Sequence, residues 1–174
     1  HTTKKIPILI DAKLGLFSPN PDQFDIYGEI FHLETEGLNF AGTLKIIDLL
    51  GEHIPLKLVL NSTSLPITKI NMLTTALASL DVVPVKLESG EVKKSFIHLE
   101  GLIDPNHNPL KEVVMKSGFE VSDLKISIPT SEKPISITFP HLDGDGMWQK
   151  GALRYKINGN VWNGGIETSL VFNL

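Results

Sequence analysis

Apolar residues recur at every second position in runs spread from Ile6 to Phe172, and this rhythm constrains the fold more than any other feature of the chain. Successive side chains of a strand point to opposite faces, so a period of two marks strands with one face buried. The pattern is plainest over residues 12–43. Just before and within it, Ile6, Ile8, Ile10, Ala12, Leu14 and Leu16 share one face of a strand spanning residues 5–16. Ser18-Pro19-Asn20-Pro21-Asp22 then reads as a rigid corner, because proline fixes φ and removes a ladder donor. A second strand follows at 24–33, a tip at Glu36-Gly37, and a third strand at 38–49, ended by Gly51.

Residues 54–60 alternate again. The period then changes, with Ile70, Leu73, Leu77 and Leu80 at helical spacing, which predicts a short helix over 70–80. Strands are expected at 82–87 and 92–103, joined through a Ser89-Gly90 hairpin signal. A second short helix is expected over 110–117, with Asn108 as cap, Pro109 in the first position and Gly118 as the stop. Its inner stripe is Leu110, Val113, Val114 and Ser117. Further strands are expected at 124–128, 135–139, 152–162 and 166–174, with a turn at Asp143-Gly144-Asp145-Gly146 and a connector at Asn163-Gly164-Gly165. The expectation is a single β-rich domain over residues 1–174. It is mainly β, an antiparallel β-sandwich or barrel of about ten strands with two short helices. An echo links Phe31-His32-Leu33-Glu34 with Ile97-His98-Leu99-Glu100, and Leu56-Lys57-Leu58 with Leu124-Lys125-Ile126. It marks roughly 24–90 and 91–160 as a candidate internal duplication, though alternating strands of like composition also produce such echoes.

Composition narrows function mainly by exclusion. The net charge is −4 and the basic residues are 15 Lys and one Arg, Arg154. With no basic surplus to displace counterions, no nucleic-acid partner is expected. One arginine rules out a site built on several bidentate guanidinium clamps. The chain has no cysteine, so disulfides, thiolate nucleophiles and cysteine-ligated metals are excluded. There is no Gly-x-Ser-x-Gly elbow, no Gly-x-Gly-x-x-Gly and no phosphate loop, and no cofactor is expected. No apolar run approaches the ~18 residues of a membrane-spanning helix. The opening His-Thr-Thr-Lys-Lys is compatible with a removed leader, in which case the compartment is extracytoplasmic. Asn61-Ser62-Thr63 matches a glycosylation acceptor.

Four places carry candidate chemistry. His32/Glu34 and His98/Glu100 each sit at i, i+2, so each pair projects from one strand face and could supply a general base or metal ligands. The same spacing describes an ordinary solvated sheet face. His107 lies in the loop at 104–109, where binding residues concentrate. His141-Leu142-Asp143-Gly144-Asp145 offers oxygens for a hard cation but lacks the acidic series of a calcium loop, and a solvated tip explains it as well. Trp148 and Trp162 lie near the last hairpin and are candidate partner contacts.

The opening stretch also carries a family pattern. Ala12-x-Leu14-x-Leu16, then Asn20-Pro21, then Phe24 and Ile26, then Leu38 and Ala41-Gly42-Thr43 resembles the first third of late embryogenesis abundant type 2 domains. The resemblance extends over about the first 105 residues. It implies a fibronectin-like β-sandwich without a catalytic site, associated with stress protection or with binding membranes and partners. It transfers no functional residue, because the motif marks fold rather than chemistry.

The functional expectation is a non-catalytic binding or structural module that contacts a protein or membrane partner through Trp148, Trp162 or His107. The alternative is a cup that carries a lipid or other hydrophobic ligand, lidded by the two helices. A second alternative is a hydrolase or metal-dependent enzyme using His32 and His98.

Overall fold

The computed structural model of the chain describes residues 8–35, 37–70, 86–104, 112–162 and 164–173. Ten strands run in chain order: β1 (Ile8–Asn20), β2 (Gln23–Thr35), β3 (Leu38–Ile46), β4 (Ile54–Ser62), β5 (Leu65–Pro66), β6 (Lys86–Ile103), β7 (Glu112–Ile128), β8 (Ile135–Gln149), β9 (Ala152–Val161) and β10 (Gly164–Asn173). They form one sheet in the order β1-β2-β3-β4-β6-β7-β8-β9-β10, with the two-residue β5 paired to the start of β6. Every pairing is antiparallel. The mainly β, antiparallel expectation of about ten strands therefore holds. Neither a second facing layer nor a closing pair between β1 and β10 is among the described pairings, so the sheet is open.

Local chemistry sets the turns. Thr35 faces Leu38 across the β2–β3 tip, and Gly37 there has φ +85°, a conformation that costs glycine little. Gln149 faces Ala152 across Lys150-Gly151, whose φ values are 51° and 77°. Two central residues with positive φ make the type I′ turn, which matches the twist of the strands it joins.

The two short helices are not found: among the described residues there is no α-helix, and a single 3-10 turn at Ile67–Lys69 follows β5. The helix expected over 110–117 is replaced by β7 from Glu112 onward, while Leu110 lies outside the described residues. Val113 and Val114 explain the outcome. Their branched side chains are stiff and suit a pleated surface, and over so short a run helical and alternating spacing cannot be told apart. In the strand, Val113, Met115 and Ser117 face Gly101, Leu99 and Ile97 of β6. The helix expected over 70–80, beyond Ile70, lies outside the described residues, and Ile70 itself has extended backbone.

Three turn expectations also shift. The Ser18–Asp22 corner narrows to Pro21-Asp22, because β1 continues through Pro19 to Asn20, which faces Gln23. Ser89-Gly90 is an irregularity inside the 18-residue β6 rather than a hairpin. Asp143–Gly146 lies within β8. Its glycines make room for rings: a Cβ on Gly144 would meet Phe119 at 2.6 Å, and one on Gly146 would meet Tyr155 at 2.2 Å. Here glycine marks close approach within a strand, not a turn.

The core lies on one face of the sheet. Ile30, Phe40 and Leu60 form one buried cluster, and Leu65, Ile67, Ile70, Val92, Val121 and Leu124 another. Leu38 packs against both. The strip Leu65–Ile70 buries Leu65, Ile67 and Ile70 and ends at the β2–β3 tip, where a Cβ on Gly37 would stand 2.0 Å from the Lys69 carbonyl oxygen.

Candidate functional site

Register turns the alternation of single strands into rows that cross the sheet. Directly paired residues share a face. One row reads Leu14, Gly28, Leu44, Leu58, Leu99, Met115, Trp148 and Leu153, from β1 to β9 without a polar side chain. Seven strand spacings make it about 34 Å long. Beside it run Ala12, Ile30, Gly42, Leu60 and Ile97 on one flank and Leu16, Ile26, Ile46 and Leu56 on the other. The opposite face carries Lys13, Glu29, Thr43, Val59, His98, Lys116, Met147 and Arg154 in one row.

The apolar face is covered unevenly. The Leu65–Ile70 strip closes one end, and the residues under it are buried. The central row is not closed: Leu44, Leu58, Leu99, Met115, Trp148 and Leu153 are half-buried and Leu14 is exposed. Half-burial is what neighbours within one sheet provide, so these side chains still present apolar surface outward. Tyr155 lies on the same face, its ring stacked on Phe119 with centroids 6.0 Å apart. Burial pushes its phenol pKa up, against a hydrogen bond with Ser117. The arrangement can hold apolar matter along a broad strip, with hydroxyls of Tyr155 and Ser117 as the nearby polar groups.

The residues singled out from sequence do not converge. Trp148 belongs to the apolar row, between Met115 and Leu153. Trp162 is 74% exposed, with φ 45°, at the β9–β10 turn. The length of β9 separates the two, about 30 Å, so they make no common patch. His107 lies outside the described residues. His32 and His98 both stand on the polar face, three strand spacings apart across the sheet and offset along it, since His98 shares its row with Glu29, so more than about 14 Å separates them. Each has its own neighbour: His32 Nε2 is 3.4 Å from Glu34 Oε2, and the His98 ring is tilted against Phe96 at 4.9 Å. The structure does not bring them to one centre. His141 Nε2 lies 3.2 Å from Asp143 Oδ1, and Asp143 Oδ2 accepts from Asn158 Nδ2 at 3.0 Å. Among the described residues no group of three or more His, Asp or Glu side chains is placed to hold a metal ion.

What sequence reading missed is the row itself. Alternation shows which residues share a face within a strand, but only register shows that Leu14, Leu58 and Trp148 fall on one line. No protein-family model, curated protein or solved structure matches the chain.

Proposed function

We propose that this protein is a non-catalytic sheet module that holds a hydrophobic, acyl-chain-bearing ligand against its apolar face. The observation that carries the reading is the uncovered apolar row from Leu14 to Leu153, flanked by further apolar rows on a face that Leu65–Ile70 closes at one end of the strands. Contiguous exposed apolar surface on this scale marks a binding site. The ligand is chosen by shape: a long, narrow strip of mostly aliphatic side chains suits an extended chain better than a compact ring system. Each methylene buried contributes about 0.8 kcal/mol, so ten of them supply roughly 8 kcal/mol before ordering costs. That reaches useful affinity without a polar anchor. The sheet then acts as the wall of a cup.

Native mass spectrometry of the purified protein, followed by titration with a fluorescent fatty acid, tests this. Leu58→Glu and Leu99→Glu, in the middle of the row, are expected to abolish probe binding. Thr43→Glu and Lys57→Glu, on the other face, leave it unchanged. Equal loss from both pairs, or no binding by the parent protein, overturns the reading. Saturable binding of a protein partner that Leu58→Glu blocks, with no probe binding, would assign the face to a protein instead.

A further inference from the structure

We infer that the free edge of β1 pairs with the β1 edge of a second copy of this chain, antiparallel, about a two-fold axis at Ala12. This stands independently of what the apolar face binds.

The edge is unprotected. Among the described residues β1 is paired on one side only, to β2. Its side chains Ile8, Leu9, Ile10, Leu14, Leu16 and Phe17 are 57–67% exposed. Edge strands are ordinarily blunted by proline, charge or a bulge, and a long apolar edge without them is a template for another strand. From Ile8 to Phe17 the charged residues are Asp11 and Lys13 alone, and the bulge between Asp11 and Ala12 falls on β2, leaving β1 continuous over that stretch; the irregularity between Phe17 and Asn20, beside Pro19, lies beyond it.

Those two charges select both the partner and the register. About Ala12 the strand is self-complementary: Asp11 would face Lys13 of the second copy and Lys13 its Asp11. Ile10 would face Leu14, and Ile8 would face Leu16. Two opposite-charge pairs thus form on the polar face while aliphatic pairs form on the apolar face. Sliding by one residue at each strand brings Asp11 opposite Asp11 or Lys13 opposite Lys13, and like charges directly opposed are destabilising. Half of that slide moves one copy's apolar set to the other side of the sheet. A two-fold axis normal to the sheet keeps both apolar faces on the same side, and closed isologous pairing is the commonest form of self-association. Among the described residues neither Asp11 nor Lys13 forms an ion pair within its own chain. The other edge offers no such match: Glu167, the one charged residue of β10, already pairs with Lys156 at 2.8 Å.

Charge exchange tests the pairing. Sedimentation velocity over roughly 1 to 300 µM, the range where a small strand-edge interface operates, is expected to show a concentration-dependent dimer. Asp11→Lys or Lys13→Asp alone should weaken it at least about tenfold, since each variant places two like-charged pairs across the axis. The double exchange D11K/K13D should restore it. Far-ultraviolet circular dichroism checks that each variant is folded. Because the chain lacks cysteine, Ala12→Cys gives an independent reading: oxidation should yield a covalent dimer, as directly opposed residues lie within about 5.5 Å, inside disulfide range. Leu14→Cys, four residues out of register with its own copy, should not cross-link. A parent protein that stays monomeric, a dimer indifferent to the single reversals, or equal cross-linking at both positions overturns the proposal.

Discussion

The carboxylate of Asp25 accepts the backbone N–H of Asp48 at 3.0 Å, and by this bond strand β2 holds the loop between β3 and β4. Asp48 has φ 51°, an unfavourable conformation for a side-chain-bearing residue, so the loop needs such a tie. Asp25 is 6% exposed and also accepts from Gln23 Nε2 at 3.2 Å and from the Tyr27 hydroxyl at 3.4 Å. The Asp48 N–H, more than any other group, holds the Asp25 carboxyl below its usual pKa, against burial.

Acid stability follows from that direction. A carboxyl with a lower pKa folded than unfolded stabilises the fold fully above the unfolded value, about 3.9 for Asp. As pH falls through that value the unfolded chain takes up the proton first, and the contribution fades until the folded pKa is passed. Urea midpoints measured from about pH 7 down to about pH 2 should therefore fall on the acid side. Asp25→Asn is expected to lower stability at neutral pH and to give a shallower acid limb.

Gly42 is a packing position rather than a turn. It faces Leu60 across β3–β4, and a Cβ there would stand 1.7 Å from the Val59 carbonyl oxygen. That obstacle is backbone, so relief requires the two strands to part. Gly42→Ala is expected to cost about 3 kcal/mol or more, with Gly165→Ala, where nothing lies within 4 Å, close to neutral. Thermal or urea unfolding of the two variants side by side checks the contrast.

Strand content was legible in the sequence because a buried face imposes period two within a few residues. Ile8 to Leu16 and Ile54 to Leu60 needed nothing more. Punctuation misled where glycine serves packing. Gly144 and Gly146 accommodate Phe119 and Tyr155, yet in sequence Asp-Gly-Asp-Gly looks like a turn. Ser89-Gly90 misled in the same way, since Gly90, at φ +144°, marks an irregularity inside β6. The apolar row was illegible for a different reason: it is a property of register across eight strands, which depends on turn lengths and bulges rather than on any one segment. The β2 bulge at Phe31, for example, changes which residues meet β1.

Val113 tests the segment where strand replaced the expected helix. Its side chain is fully buried and faces Gly101 of β6, whose lack of a Cβ lets the two backbones approach. Val113→Ala is expected to destabilise by about 2 kcal/mol, through lost burial and an unfilled space. Val113→Ile should also destabilise, since no room remains for another methylene. Chemical denaturation curves of the three proteins check both changes.

The two tryptophans give a direct optical reading of the apolar face. Trp148 is half-buried in the row between Met115 and Leu153, whereas Trp162 stands in solvent at the β9–β10 turn. In Trp162→Phe all tryptophan emission comes from Trp148. If an acyl chain lies along the row it displaces water from that indole, so saturating fatty acid should shift the emission to shorter wavelength. In Trp148→Phe the remaining Trp162 should stay at long wavelength with or without ligand. Phenylalanine keeps an aromatic, though smaller, ring at both sites; circular dichroism checks that each variant is folded, and the difference between the two titrations then reports where the ligand sits. A shift confined to Trp162 would place the ligand at the β9–β10 turn rather than on the row.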